Sequence, residues 1–210
     1  AANPVTVTMD TAHTVIAYYN ITEPPPVDGS FLLLGRDSFN FGSTGSTVTP
    51  AQVMRVVISG DPAEWTATAD VTWIGISPAS GSATADVTVS VDPSGLAPGR
   101  YTGTITVTAT DADDSPQTAS VILNVYTANE VSGPTGLIET PENNATVYGS
   151  IAVTGWAVDE IGVERVKIYL ETDNPANLLY IDDALFVEGA RPDVEKAYPE
   201  YPLSYQAGWG

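Results

Sequence analysis

The segment from Tyr101 to Thr110 alternates strictly between an apolar or small residue and a threonine. Side chains two residues apart share a face of a strand, so Tyr101, Ile105 and Val107 face one way and the threonines face the other. An apolar row opposite a polar row, with a period of two, predicts a half-buried antiparallel strand. A second layer of structure must then cover the apolar row.

The same alternation recurs at residues 85–92 and 119–125, so the segment Trp65–Tyr126 reads as four or five short strands. Pro and Gly separate the strands, at Ser77–Gly81 and at Asp92–Gly95. These residues favour the fixed or positive φ angles that turns require. Short strands at this spacing, joined by such turns, predict a β-sandwich.

The motifs in this segment follow a familiar order: W-T-A-T-x-D-x-x-W from Trp65, then S-P-A-S-G, then V-D-P-S-G-L-A-P-G-x-Y-T-G-T-I-T-V-T, then S-P-Q-T. The order resembles a BACON-type domain. The resemblance implies an immunoglobulin-like sandwich of secreted bacterial multidomain proteins, starting near Arg36 with Phe39–Gly42 as its first strand. The name of that family records a suggested carbohydrate-binding role, whereas many members resemble spacers.

A second set of motifs follows: I-x-T-P-x-x-x-A-T-V-x-G from Ile138, then V-T-G-W-A-x-D, then G-V-x-x-V-x-I-Y. This set resembles the first strands of a bacterial Ig-like domain, and Arg191–Pro202 resembles an insertion found in one branch of those domains. Such a sandwich needs about seven strands. Four or five are recognisable, so residues 136–210 are expected to be a partial Ig-like domain.

At the other end, residues 1–20 alternate in the manner of a β-hairpin and resemble the closing hairpin of an internalin-type bacterial repeat, with V-T-M-D before T-V-I-A. Pro24 to Pro26 favour an extended linker. The predicted fold class is all-β: tandem immunoglobulin-like β-sandwiches with an N-terminal β-hairpin. The expected divisions are a hairpin at 1–20, a linker at 21–30, a BACON-like sandwich at 31–126, a linker at 127–135 and the partial domain at 136–210.

The charge balance restricts the partners. The formal net charge is −19 and only seven residues are Lys or Arg, so binding to nucleic acid is not expected, because it needs clustered cations. No apolar run approaches the roughly 20 residues of a membrane-spanning helix, so membrane insertion is not expected either. The chain has no cysteine, so it has neither disulfides nor thiolate sites.

Little in the sequence indicates catalysis, and the chain is expected not to be an enzyme. His13 is the single histidine and lies in or beside a predicted hairpin turn, where it is poorly placed to act as a catalytic base. Carboxylates are numerous, but most lie in turns or on outward-facing strand positions, where solvated charge is the ordinary explanation.

Calcium is the metal that the acidic loops could suit, since it takes six to eight oxygen ligands. The candidate ligands are carboxylates at Asp111, Asp113 and Asp114 in one loop, and as a rival location Asp159 and Glu160 near Asp182 and Asp183. None of these loops has the spacing of an EF-hand, and ordinary acidic loop tips are the alternative interpretation.

Aromatic side chains are the candidates for a ligand or subunit contact. Trp65 and Trp73 sit in the strand alternation and are expected in the core. The candidate contact residues are Trp156, Tyr198, Tyr201, Tyr205 and Trp209. Asn20 and Asn144 each begin an N-x-T glycosylation sequon, which matters only if the host glycosylates in this way.

The sequence therefore predicts a non-enzymatic structural module of a secreted or cell-surface bacterial protein, most readily a building unit of an extracellular filament, stalk or adhesin. Copies of the chain would join head-to-tail if the hairpin at residues 4–19 completed the partial domain of the next copy; the other explanation is that adjoining domains of one longer polypeptide complete it. The alternative function is a carbohydrate-binding module set of a larger polysaccharide-active or adhesive protein, with extracellular polysaccharide as the partner.

Overall fold

The computed structural model describes residues 29–45, 47–61, 63–171 and 177–210. They form two β units, the first from Ser30 to Tyr126 and the second from Thr135 to Gly210. The hairpin predicted for residues 1–20, with His13 and Asn20, lies outside the described residues. Among the residues described, no helix has the length and apolar character needed to cross a membrane.

The first unit is a sandwich of two sheets with the strand orders β1-β4-β8-β6 and β3-β2-β10-β9-β5-β7. Its strands are β1 (Ser30–Leu34), β2 (Ser38–Thr44), β3 (Thr47–Val48), β4 (Gln52–Gly60), β5 (Trp65–Ala69), β6 (Ile74–Ser77), β7 (Ser80–Gly81), β8 (Ala85–Val91), β9 (Gly99–Ala109) and β10 (Gln117–Tyr126). Neighbouring strands are antiparallel except β2 and β10, which run parallel. The all-β prediction is confirmed.

The core of this sandwich is formed by the apolar rows that the alternation predicts. Ile105 and Val107 of β9 are fully buried, as are Val121 and Leu123 of β10. Trp65 is also buried, and its indole N–H donates to the carbonyl of Ala83 at 2.8 Å. Trp73 is partly buried and packs against the same core. The threonine row faces outward because burying unpaired hydroxyls would cost free energy.

The two ends of the first unit are occupied by different parts of the chain. Ser30, where β1 begins, lies beside Ala112 in the turn between β9 and β10. Strand β10 then runs the length of the sheet and ends at Tyr126, which is level with Thr44 of β2. Ten residues of strand extend about 30 Å. The described chain therefore enters the unit at one end and leaves it at the other.

The second unit has one four-stranded sheet with the order β11-β12-β16-β15 and a separate two-stranded ribbon, β13-β14. The strands are β11 (Thr135–Thr140), β12 (Thr154–Val158), β13 (Lys167–Glu171), β14 (Leu178–Asp183), β15 (Phe186–Val187) and β16 (Gly208–Trp209). A helix, α1 (Pro192–Ala197), and a 3-10 turn (Ser204–Gln206) cover part of the sheet.

The core of the second unit is small. Its buried apolar residues are Val158, Val194 and Ala207, with Trp156 and two tyrosines packed against them. Val158 comes from β12 and Val194 from α1, so the segment predicted to be an insertion supplies one side of this core. Proline at the first helical position suits the start of α1, because that position needs no backbone donor.

Candidate functional site

The two units meet at a junction in which the side chain of Thr49 is central. Its hydroxyl accepts a hydrogen bond from the backbone N–H of Gly42 at 2.8 Å and donates to the carbonyl of Ile161 at 2.6 Å. Thr49 is only 2% exposed, so these groups are removed from water. Losing the hydroxyl would leave a buried donor and a buried acceptor unpaired, which typically costs about 1–3 kcal/mol.

The backbones of the two units touch at Gly42 of β2. A Cβ atom on this residue would lie 1.8 Å from the carbonyl oxygen of Glu160 and 3.1 Å from the Cα of Ile161. Real Cβ atoms do not approach backbone this closely, so any other residue would force the units apart. A glycine inside a strand commonly marks such a close approach.

A second group of contacts surrounds this centre. The guanidinium carbon of Arg36 lies 3.3 Å above the ring centroid of Tyr205, and Arg36 also forms an ion pair with Glu188 at 3.1 Å. The side-chain amide of Asn40 donates to the carbonyl of Pro199 at 2.8 Å. A cation over an aromatic face contributes about 0.5–1 kcal/mol at an exposed site and more where water is excluded. The junction therefore combines polar, aromatic and close backbone contacts.

Two acidic residues lie within the junction. Asp159 is buried and accepts a hydrogen bond from the backbone N–H of Ile161 at 2.8 Å. Burial raises the pKa of Asp159 above its ordinary value, and the adjacent Glu160 acts in the same direction. Glu160 accepts a hydrogen bond from Ser132 at 2.5 Å, while its other oxygen is buried with no partner among the described residues. Burial of these two carboxylates therefore lowers the stability of the junction.

The pKa values of two tyrosines near these carboxylates are also raised. Burial raises the pKa of Tyr126, at the end of β10, and the charge of Glu160 raises it further. The same two causes raise the pKa of Tyr201. Both phenols therefore remain protonated well beyond neutral pH and are available as donors and as apolar surface.

The structure brings most of the predicted aromatic contact residues together. Trp156 lies 5.7 Å from Tyr198, and Tyr198 lies 5.3 Å from Tyr201, measured between ring centroids. They pack against the small core of the second unit, while Tyr205 lies under Arg36 and Trp209 is only 6% exposed. This packing holds the second unit together and leaves the cluster little free surface.

The predicted calcium ligands occupy separate places. Asp113 lies in the β9–β10 turn, where its backbone N–H donates to Ser30, and Asp111 in the same turn has a positive φ of 65°. Asp182 and Asp183 end β14, and Asp183 accepts a hydrogen bond from Tyr180 at 3.0 Å. Among the described residues, no group of three or more acidic or histidine side chains could hold a metal ion. Calcium at these loops, with Asp114 included, stays a prediction.

Glycosylation also stays a prediction. Asn144 is exposed in the turn between β11 and β12 and adopts a positive φ of 64°, a conformation that asparagine tolerates better than most residues. An exposed turn is the kind of position that a glycan requires.

The ribbon β13-β14 carries exposed apolar side chains. In this exposed ribbon Leu170 pairs with Leu179, and Tyr169 pairs with Tyr180 on the opposite face, since alternate residues of a strand face opposite ways. Leu170 is 54% exposed and Leu179 is 55% exposed. Both strands lack any other strand partner in the part of the chain that the structure describes. A two-stranded ribbon alone is marginally stable in water, so this one needs a cover.

Sequence reasoning missed the junction. The stretch Gly42–Pro50 is rich in Gly, Ser and Thr, a composition typical of loops, and it contains the end of β2, strand β3 and the buried Thr49. The available signal was the glycine that ends an apolar strand pattern at Phe41–Gly42. It did not identify the partner, because Thr49 and Ile161 are 112 residues apart in the chain.

Comparison with known families agrees with the sequence resemblances. Residues 35–120 match the family model described as a viral BACON domain, and residues 134–185 match the model described as a bacterial Ig domain. The predicted order of these two domains is confirmed. The internalin-type resemblance of residues 1–20 stays a prediction. Domains of these two kinds are typically non-catalytic.

Solved structures give more distant likenesses. A Bacteroides ovatus GH5 xyloglucanase in complex with a XXXG heptasaccharide has 21% identity and a TM-score of 0.37, covering 46% of this chain and 19% of that one. PapD-like domain 7 of human CEP192 has 14% identity and a TM-score of 0.40, covering 56% and 99% respectively. Domains 5–6 of the S-layer protein SbsC have 11% identity and a TM-score of 0.31, covering 71% and 80%. No curated protein matches the chain.

Proposed function

Because this chain combines a BACON-type domain with a following bacterial Ig-like domain, we propose that it is a non-enzymatic structural module of an extracellular or cell-surface assembly. A filament, a stalk or an adhesin shaft is the kind of assembly that it suits. One of the two family descriptions is viral and the other bacterial, so the surface that carries the module is that of a cell or of a virus particle.

The junction is the observation that carries this proposal. Thr49, Gly42 and Arg36 of the first unit each contact the second unit, through a buried hydrogen bond, a backbone approach and a cation–aromatic contact. The contacts run along β2, from Gly42, which is level with Asn124 of β10, back to Arg36, which precedes the strand. Units fixed to each other in this way can transmit force, whereas a flexible linker would allow each unit to tumble.

The charge of the chain supports the same role. With a formal net charge of −19 and seven cationic residues, the surface repels copies of itself at long range. Such repulsion keeps rods dispersed unless a specific contact joins them. An acidic surface is also poorly suited to nucleic acid.

The carbohydrate-binding alternative is favoured by one observation. Tyr169 and Tyr180 lie on the exposed ribbon with ring centroids 5.6 Å apart, and each is about half exposed. Exposed aromatic faces bind sugars by stacking. A glycan array with the wild-type chain and with Tyr180→Ala tests this function: binding that the substitution abolishes would support it, and the absence of binding would exclude it for the glycans sampled.

The structural role is tested on native material. Antibodies against the chain, applied with gold labels before negative-stain electron microscopy, should mark extracellular filaments or stalks at regular intervals. Labelling inside cells, or on dispersed particles without repeating order, would contradict the proposal.

A parallel sample treated with a calcium chelator tests the calcium prediction: loss of order would support it, and unchanged filaments would exclude calcium as a structural ligand.

A further inference from the structure

We propose that the free edge of β13 is the contact surface for a second copy of this chain, and that the two copies pair antiparallel about a two-fold axis at Tyr169. The two exposed ribbons would then form one four-stranded sheet with the order β14-β13-β13-β14. This inference rests on the proposed structural role, which requires copies of the chain to meet, and it assigns one surface at which they do so. Nothing in the two family descriptions specifies such a contact.

The backbone of β13 leaves a row of hydrogen-bonding groups on one edge. The N–H of Ala184, just after β14, donates to the carbonyl of Val166, just before β13, at 2.8 Å. Successive residues of a regular antiparallel strand direct their backbone groups to opposite edges. Lys167, Tyr169 and Glu171 therefore direct theirs away from β14, to an edge that has no strand partner among the described residues. Such an edge is a template for pairing with another strand.

The charges along β13 are self-complementary. The strand reads K-I-Y-L-E, with a cation at one end and an anion at the other. Antiparallel pairing of two copies about Tyr169 sets Lys167 of each copy directly opposite Glu171 of the other, a cross-strand arrangement that stabilises a sheet. Every ion pair between described residues contains an arginine, so neither charge is already paired. Exposed ion pairs contribute little free energy, so these charges select the register, while backbone hydrogen bonds and apolar contacts supply the affinity.

The same register extends both faces of the exposed ribbon. Tyr169 would lie opposite Tyr169 of the other copy, and its ring is already 5.6 Å from that of Tyr180, so four tyrosines would form one row. On the opposite face, Ile168 would lie opposite Leu170 of the other copy, beside Leu179. Leu170 and Leu179 are each more than half exposed in the single chain. Aromatic and apolar cross-strand pairs stabilise a sheet, so both faces favour the contact.

The other edge of the exposed ribbon is poorly suited to the same contact. The register of the two strands shifts after Ile168, which leaves Ile181 as an extra residue on β14. A bulge of this kind bends the strand and disrupts its row of hydrogen-bonding groups. Strand β14 also ends in Asp182 and Asp183 and contains no cation. Bulges and charges are devices that protect an edge strand from pairing, whereas β13 is regular.

The contact is symmetric, because both copies use the same surface. A two-fold contact of this kind closes on itself, so it joins chains in pairs, and any longer assembly needs a second surface. Five residues of edge strand form a small interface, so the dimer should dissociate on dilution. The axis also provides the test, since a side chain introduced at Tyr169 would face its own copy in the dimer.

Sedimentation velocity of the full chain with Tyr169→Lys and with Tyr169→Glu tests the axis. The wild type should show a monomer–dimer equilibrium. Each variant alone should raise the dimer dissociation constant about tenfold or more, because like charges would face each other. An equimolar mixture of the two variants should recover the dimer, because opposite charges would then face each other. Tyr148→Glu is the matched control and should dimerise like the wild type, since Tyr148 is 88% exposed between β11 and β12.

A second pair of variants tests the register and leaves the tyrosines intact. Lys167→Glu and Glu171→Lys should each weaken the dimer when alone, because like charges would then lie opposite each other. A mixture of the two should restore it, because each copy supplies the charge that the other needs. Lys196→Glu is the control: it makes the same change of net charge at an exposed lysine of α1 and should leave the wild-type equilibrium unchanged.

A single cysteine detects even a weak dimer. The chain has no cysteine of its own, so Tyr169→Cys would place one thiol at the axis in each copy. Hydrogen-bonded neighbours in an antiparallel pair have Cα atoms about 5.5 Å apart, a separation that a disulfide can bridge. Under mild oxidation, Tyr169→Cys should therefore form a disulfide-linked dimer about tenfold faster than Tyr148→Cys.

Several outcomes would overturn the proposal: a wild type that stays monomeric at all concentrations, a mixture of Tyr169→Lys and Tyr169→Glu that stays monomeric, or equal cross-linking of the two cysteine variants. A strand of another protein bound at β13, with no wild-type dimer, would give this edge a different occupant and also reject the proposal. Near-UV circular dichroism checks that each variant folds. The two proposals can fail separately, because gold-labelled extracellular filaments together with a monomeric wild type would retain the structural role and reject this contact.

Discussion

At the scale of single residues, the junction depends on a glycine, Gly42, because no other residue fits there. Gly42 lies where the carbonyl oxygen of Glu160 approaches to within 1.8 Å of the position that a Cβ would occupy. No rotamer change can relieve a clash between a Cβ and backbone. Gly42 is therefore a positioning residue for the second unit, although it carries no functional group.

Gly42→Ala should separate the two units. Overpacking of a tight contact typically costs about 1–3 kcal/mol, and here the strain is relieved most readily by moving the second unit away. Small-angle X-ray scattering should show a larger radius of gyration, and proteases should cut the segment 127–134 faster. Gly133→Ala is the matched control, because a Cβ at that exposed glycine meets nothing within 4 Å. Scattering curves that are identical for wild type and Gly42→Ala would contradict the argument.

Asp159 gives the junction a pH dependence. Burial raises its pKa above the ordinary 3.8, so the folded chain holds this proton to a higher pH than the unfolded chain does. Between these two pKa values the folded state binds more protons, and this residue therefore lowers the free energy of unfolding as the pH rises. Below 3.8 the stabilisation from the retained proton is fully present; above the raised pKa it is lost.

Asp159→Asn should remove this dependence. The difference in melting temperature between variant and wild type should shift in favour of the variant as the pH rises from about 3.8 to neutrality. Asp37→Asn is the control, because Asp37 is exposed before β2. Thermal unfolding followed by circular dichroism across this range provides the measurement. A difference that is constant with pH, or that moves the other way, would show that the burial of Asp159 is not coupled to folding.

At the scale of elements, the strands differ in how well they are covered. The strands β9 and β10 lie side by side within a six-stranded sheet and bury their apolar rows completely, whereas the exposed ribbon has neither a third strand nor a buried leucine. Local opening is easiest where few apolar groups are buried. Stability is therefore expected to be uneven along the chain.

Hydrogen exchange should follow this difference. The backbone amides of Tyr169 and Leu179 should exchange at least tenfold faster than those of Val107 and Val121. Mass spectrometry of pepsin fragments resolves the two regions. Equal exchange in the two regions would contradict this uneven stability.

At the scale of the whole molecule, charge opposes assembly. Copies with a formal net charge of −19 repel each other, so any contact that joins them must offset this repulsion. Salt shortens the range of this repulsion, with a Debye length near 10 Å at about 0.1 M. Apolar contacts are not weakened by the same change.

Raising the salt concentration should therefore promote association of the copies. Between about 0.01 M and 0.3 M sodium chloride, the mean sedimentation coefficient of the wild type should increase. Dissociation of the oligomers by salt would contradict this expectation and would indicate that ion pairs hold the copies together.

The sequence alone determined the sandwich of the first unit, because a period of two is a local property of each strand. The rows around Ile105 and Val121 are buried as the alternation predicts, and Trp65 lies in the core. The order of motifs was sufficient to predict both domain types. The turn residues determined the strand ends, since Pro and Gly restrict where strands can end.

Only the tertiary structure decided which surfaces are covered. Trp156 could have faced either way on β12, and it is the packing of Tyr198 at the end of α1 that determines its environment. Thr49 and Gly42 read as ordinary loop residues until Glu160 and Ile161 are brought against them from more than 100 residues away. Periodicity specifies two faces of a strand, but the partner of each face is chosen by contacts that are distant in the sequence.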